Sequence, residues 1–78
     1  MPTLGALPVG AIARITAVRA GRLEVRMASM GLRPGSEVRI VAHAASGNRI
    51  VRVGDARLTL ARELAAAIDV EVVRADVQ

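Results

Sequence analysis

Cysteine and all three aromatic residues are missing from this sequence of 78 residues. Without cysteine the chain has no disulfide, no cysteine-ligated zinc or iron–sulfur centre and no thiol nucleophile. Histidine occurs once, at His43, so a nucleophile and its general base would have to be built from Ser, Thr, Asp and Glu alone. We therefore expect neither an enzyme nor a resident cofactor.

Sites for metals and nucleotides are not expected either. His43 has no second histidine at a ligand spacing, and the acidic residues are scattered singly, so the sequence predicts no metal site. We expect His43 to lie on the solvated outer face of a strand. Gly31-x-x-x-Gly35 is not followed by Lys and Ser or Thr, so it is no phosphate-binding loop and both glycines are interpreted as backbone turns.

Long hydrophobic runs are also lacking. The longest stretch without a charged residue, residues 1–13, is interrupted by Pro8 and Gly10 and is too short to cross a bilayer. We expect a cytoplasmic protein without direct membrane insertion. Apolar residues make up 53% of the chain, enough for a compact aliphatic core, and the length predicts a single domain over residues 1–78 with its core at about 4–73.

Lysine is absent, so the positive charge comes from arginine alone. Eleven arginines outnumber seven acidic residues, and the net charge of +4 arises within residues 1–39. A net positive charge is compatible with binding to nucleic acid, to anionic lipid or to an acidic protein surface. Arg49, Arg52 and Arg57 are a candidate nucleic-acid surface, but no aromatic side chain is present to stack a base, which argues against this interpretation.

Apolar alternation and turn residues predict five short strands. They cover residues 11–18, 37–43, 50–53, 57–60 and 68–73. In the first strand Ile12, Ile15 and Val18 are three residues apart, which predicts a bulge or strong bend. A turn is expected at residues 46–48, and the Ala-rich segment 61–67 favours a short helix.

The segment 23–30 is predicted to be a helix of two turns. Leu23, Met27 and Met30 recur at helical spacing, and Gly31 is suited to end the helix in a left-handed conformation. Pro34-Gly35 then predicts a turn. Together these elements indicate a mainly β fold, a small barrel of about five strands with one or two short helices.

Several motifs in this order resemble a known family. They are Leu4-x-x-Leu7-x-x-Gly10, Arg26-Met27-x-x-Met30-Gly31-Leu32-x-Pro34-Gly35, a glycine turn at Gly47, Leu58-x-Leu60 and Ile68-x-Val70. This series is similar to the FeoA domain, a small SH3-like barrel of bacterial ferrous iron uptake. The chain departs from the family pattern at its Gly47 turn and at Leu60-Ala61, where family members usually have Pro-x-Gly-Asp-Pro and a Leu-Arg pair.

The resemblance implies a cytosolic accessory protein that binds the FeoB-type membrane GTPase transporter and modulates its assembly or its GTP-driven cycle. The chain would then be peripheral to the inner membrane through this partner. A nucleic-acid-binding small barrel, or another regulatory interaction module, is the alternative. Self-association through open sheet edges is compatible with the fold.

The helix is the candidate partner-binding surface, with Leu23, Arg26, Met27, Met30 and Arg33 as its residues. Flexible methionines suit adaptable binding surfaces, and arginine is common in interfaces. The other interpretation of the stripe is that it packs as a lid on the barrel. The structural motif residues are Gly10, Gly31, Pro34, Gly35 and Gly47.

Overall fold

A computed structural model describes residues 2–74 of the chain. Met1 and residues 75–78, which the predicted domain of residues 1–78 includes, lie outside the described part. Seven helices and strands follow in chain order: β1 (Ile12–Val18), α1 (Glu24–Ser29), β2 (Glu37–His43), β3 (Arg49–Val53), β4 (Ala56–Leu60), α2 (Arg62–Ala65) and β5 (Ile68–Arg74). Short 3₁₀ turns at Leu4–Ala6, Gly21–Leu23 and Ala45–Gly47 connect them. The mainly β prediction is confirmed.

The five strands form one antiparallel sheet in the order β4-β3-β2-β1-β5. Register shifts in β1 opposite β5, and in β2 between Ile40 and Ala42, bend the sheet. The predicted irregularity of β1 is thereby confirmed. Within residues 2–74 the outer strands β4 and β5 do not pair with each other, so hydrogen bonds do not close the sheet and the architecture is barrel-like only in its curvature.

Aliphatic side chains from one face of the bent sheet form the core together with residues of the N-terminal segment, the two helices and the turn after α1. In β2, Val38 and Ile40 are buried while Glu37 and Arg39 are exposed, the alternation that the sequence predicts. The 14 buried core residues are Leu4, Leu7, Ala11, Ala13, Ile15, Met27, Leu32, Val38, Ile40, Val51, Leu60, Ala65, Ile68 and Val70. No polar or charged side chain of the described residues is buried with them.

Helix α1 is shorter than the predicted span of residues 23–30. Its start is preceded by the 3₁₀ turn, which contains Leu23, and its C-cap is Met30. A 3₁₀ turn advances the side chains by a different angle from an α-helix, so the stripe of Leu23, Met27 and Met30 does not keep one orientation. Helix α2 is likewise shorter than the predicted segment of residues 61–67, whereas β5 begins at Ile68 as predicted.

The turn after α1 is a complete Schellman motif. Gly31 has a φ of +95°, its N–H donates to the carbonyl of Ala28, and the N–H of Leu32 donates to the carbonyl of Met27. The buried side chains of Met27 and Leu32 provide the apolar contact that accompanies this motif. The Pro34-Gly35 turn follows, closed by a hydrogen bond from Ser36 to Arg33, so both predicted turns are confirmed.

The remaining motif glycines occupy turns as well. Gly10 and Gly47 have φ values of +94° and +83°. No helix within residues 2–74 has the length and apolar character needed to cross a bilayer.

Candidate interaction surface

An apolar groove of about 240 Å³ lies between α1 and the turn that follows it. Its lining residues are Val18, Glu24, Val25, Ala28, Leu32, Arg33 and Pro34. Val25 stands out among them because its side chain is 82% exposed. The groove is smaller than the usual ligand cleft of about 300–1,000 Å³, and its size suits one apolar side chain of a partner.

Hydrogen bonds hold both ends of α1, which forms one wall of this groove. The Glu24 carboxylate accepts from the N–H of Gly21 at 3.1 Å, which ties the first residue of the helix to the start of the 3₁₀ turn before it. At the other end Nη1 of Arg33 donates to the carbonyl of Ala28 at 3.1 Å. The groove is therefore preformed. Glu24 and Arg33, the polar residues at its rim, also make the hydrogen bonds that hold its walls in place.

The five predicted partner-binding residues occupy three different environments. Arg33 lines the groove. Leu23 and Met30 are 45% and 40% exposed near the two ends of α1, and Arg26 is exposed, but none of these three lines the groove. Met27 is only 1% exposed, so it packs in the core beneath the helix and does not face solvent. The lid interpretation thus describes Met27, whereas Leu23 and Met30 remain accessible.

Of the groove residues, sequence reasoning predicted only Arg33. It missed the other six, which are Val18, Glu24, Val25, Ala28, Leu32 and Pro34. In the sequence, Leu32 belongs only to a family motif and Pro34 to that motif and a predicted turn. Val25 carried a usable signal, because a valine outside the apolar stripe of an amphipathic helix has no core position to fill. Its exposure in the structure is the outcome of that mismatch.

The rim of the surface is basic. Arg22, Arg26 and Arg33 surround α1, with Glu24 as the only acidic residue of that helix. Arg19, just after β1, is instead held by Asp69 of β5 through contacts of 2.8 and 3.1 Å. The hydrogen bond from Arg19 lowers the pKa of the Asp69 carboxyl, and the same hydrogen bond raises the pKa of Arg19.

His43 and Arg49, two further residues discussed in the sequence analysis, each contact a backbone carbonyl of the N-terminal segment. His43 is exposed on β2, as expected, and its Nε2 lies 3.1 Å from the carbonyl oxygen of Leu7. Arg49 donates to the carbonyls of Gly47 at 2.6 Å and Gly5 at 2.9 Å, which gives it a structural role. Among residues 2–74 there is no group of three His, Cys, Asp or Glu side chains able to hold a metal ion.

The bent five-stranded sheet with its two short helices defines a small SH3-like domain. Comparison with known proteins then identifies the family: the FeoA domain model matches residues 3–72, and the chain belongs to the FeoA family. FeoA is a family of small accessory domains associated with ferrous iron transport. The resemblance found in the motifs is confirmed. No curated protein matches the chain.

Three solved structures illustrate the similarity. The iron(II) transport protein A of Clostridium thermocellum is 35% identical, with a TM-score of 0.84 over 92% of this chain, which spans only 46% of that protein. FeoA of Stenotrophomonas maltophilia, solved with zinc and described as an SH3 domain protein and candidate activating factor for ferrous iron transport, is 30% identical, with a TM-score of 0.78 over 91% of each chain. FeoA of Chlorobium tepidum is 27% identical, with a TM-score of 0.87 over 97% of this chain and 74% of that one.

Proposed function

We propose that this chain is a cytoplasmic accessory domain that binds an FeoB-type membrane GTPase transporter and modulates its assembly or its GTP-driven cycle. The observation that carries the proposal is the preformed apolar groove beside α1, in a chain of the FeoA family. The chain is peripheral to the inner membrane through this partner. Iron is the cargo of the transporter in this proposal, and the accessory domain itself acts by contact.

The chemistry of the groove favours a protein segment as its occupant. Val25, Ala28 and Pro34 offer an apolar site for one anchoring side chain, and Leu23 and Met30 extend the apolar area along the helix. Interface cores are depleted of charge, whereas arginine is enriched around them. The complementary partner segment is therefore one apolar residue flanked by acidic residues, which the arginines of the rim would attract.

The test places a charge in the groove or on the apolar area beside it, without touching the core. Val25→Asp alters a groove residue that is 82% exposed and Met30→Asp alters the far end of the same helix, so neither change buries a carboxylate in the core. Val9→Asp, at a 40% exposed valine outside the groove, is the matched control. Tagged proteins are used to capture partners from nuclease-treated, detergent-solubilised native membranes, with identification by mass spectrometry.

We expect the unaltered chain and Val9→Asp to recover a large membrane GTPase. Val25→Asp and Met30→Asp should recover at least tenfold less of it, because a loss of about 1.4 kcal/mol in binding free energy lowers the affinity tenfold. Circular dichroism confirms that each variant is folded. Recovery of only soluble or nucleic-acid-associated partners, from cells that contain the transporter, would overturn the proposed function. Equal recovery by Val25→Asp would place the contact elsewhere on the domain.

A further inference from the structure

Three arginines from separate strands lie side by side on the outer face of the sheet. Arg57 of β4 is directly opposite Arg52 of β3, and Arg52 is directly opposite Arg39 of β2. All three are exposed. Because neighbouring strands are about 5 Å apart, the three backbone positions span about 10 Å in a row across the sheet. We refer to Arg39, Arg52 and Arg57 as the arginine row.

The row continues across the sheet with a different residue. Arg39 lies opposite Ile12 of β1, and Ile12 lies opposite Arg74 of β5, which has interactions of its own. Ile12 is half-buried and lines a shallow groove of about 160 Å³ together with Arg39 and Arg52. Aliphatic surface is thus adjacent to the guanidinium groups of the row.

The positive charge of the row is not neutralised within the described part of the chain. None of the ion pairs among residues 2–74 includes one of its arginines. Glu37 lines the same groove and Asp55 lies in the turn after β3, but neither forms an ion pair with the row. Like charges placed directly opposite in a sheet are destabilising, so the row is unfavourable for folding and is complementary to an external anion.

We propose that the arginine row binds the anionic headgroups of a lipid bilayer and holds the outer face of the sheet against the membrane surface. Arginines near an anionic leaflet each contribute favourably to association, and their aliphatic stems and Ile12 suit the boundary between headgroups and acyl chains. Single-stranded nucleic acid is the less suitable partner, because its affinity in small β domains comes largely from aromatic stacking, and the chain has no aromatic residue.

The choice of a membrane over duplex nucleic acid rests in part on the proposed function, which places the domain beside a membrane transporter. Three arginines alone give weak and reversible association. Combined with the groove beside α1, the row is a second contact that raises the effective concentration of the domain at the transporter. The two contacts use separate residues and can be tested separately.

The experiment measures co-sedimentation of the full chain with phosphatidylcholine vesicles that either contain or lack phosphatidylglycerol, with no transporter present. Arg39→Gln/Arg52→Gln removes two charges from the row. Arg22→Gln/Arg26→Gln removes two charges beside α1 and is the control of equal net charge, because none of these four arginines has an ion pair among the described residues. Inorganic phosphate and a duplex oligonucleotide are added as competitors.

We expect the chain to bind only the vesicles that contain phosphatidylglycerol, and added salt to weaken this binding. Arg39→Gln/Arg52→Gln should reduce the affinity for these vesicles roughly 25-fold, at about fivefold for each arginine. The control pair should retain most of the binding. Inorganic phosphate that replaces chloride at constant ionic strength should not release the protein from the vesicles. Equal losses for both variants would overturn the proposal, as would tighter binding to the oligonucleotide than to the vesicles.

In the transporter capture from detergent, Arg39→Gln/Arg52→Gln should behave as the unaltered chain, so a failure of the membrane contact is distinguishable from a failure of the proposed function.

Discussion

At the scale of single residues, the contact between Arg19 and Asp69 is the most defined ion pair of the described chain. Nε and Nη2 of Arg19 each donate to one carboxylate oxygen, at 3.1 and 2.8 Å, and Nη2 also donates to the carbonyl of Ala66 at 3.2 Å. Such a two-pronged geometry is the strongest form of a charged hydrogen bond. It joins the end of β1 to the start of β5, the two strands with the most extensive pairing in the sheet.

Replacement of the Asp69 carboxylate should make the free energy of unfolding depend less on pH in the acid range. The pKa of Asp69 is lowered in the folded state, so its contribution is complete above the unfolded pKa of about 3.9 and is lost as pH falls through the folded value. Urea unfolding between about pH 6 and pH 2 should therefore lose less stability with falling pH in Asp69→Asn than in the unaltered chain. Arg19→Gln should show the same flattening, and identical slopes in all three proteins would contradict this account.

At the scale of elements, α1 depends on its ends more than on its length. With six residues it is far below the length at which an isolated helix is stable in water. The hydrogen bond of Glu24 to the 3₁₀ turn, the Schellman turn and the burial of Met27 compensate for this shortness. The wall of the candidate interaction surface is therefore only as stable as its two ends.

Gly31→Ala should destabilise the domain by about 1–2 kcal/mol, because an L residue at φ +95° is strained and the new Cβ would lie 2.9 Å from Cγ1 of Val53. Gly5→Ala is the matched control. At that position the φ is not in the left-handed region, and the nearest atom would be at an ordinary 3.6 Å. Urea denaturation should separate the two variants, and an equally small change in both would show that the turn tolerates a side chain.

At the scale of the whole molecule, the N-terminal segment is attached to the sheet at several separate points. The backbone N–H of Gly10 donates to Ile40, Thr3 forms a bridge with Asp69, and Arg49 reaches the carbonyl of Gly5. Arg49 thus connects the β2–β3 turn to the first residues of the chain. Leu4 and Leu7, which complete the core, are held in place by these contacts.

Arg49→Lys should destabilise the domain by about 1–2 kcal/mol although the charge is retained, because a lysine ammonium cannot span the carbonyls of Gly47 and Gly5 as the guanidinium does. Arg52→Lys, on the exposed face of the same strand, should leave stability unchanged within about 0.5 kcal/mol. Thermal unfolding of both variants provides the measurement. A loss of stability in Arg52→Lys as large as in Arg49→Lys would contradict the bridging role.

Elements whose signals are local are predictable from the amino-acid sequence. The alternation of β2, the left-handed glycine after α1 and the Pro34-Gly35 turn each depend on a few adjacent residues, and all three were predicted at their observed positions. The family followed from the same local motifs. Helix ends were less predictable, because the 3₁₀ turn before α1 and the end of α2 at Ala65 depend on packing against the rest of the fold.

Which side chains share a surface depends on how the elements pack in three dimensions. Met27 and Val25 are two residues apart on one helix, yet the first is buried and the second is 82% exposed at the groove, because the position of the helix on the sheet selects the buried side. Arg39, Arg52 and Arg57 become neighbours only through the registers of β2, β3 and β4. Strand register is set by contacts between residues far apart in sequence, so neither surface is readable from local pattern.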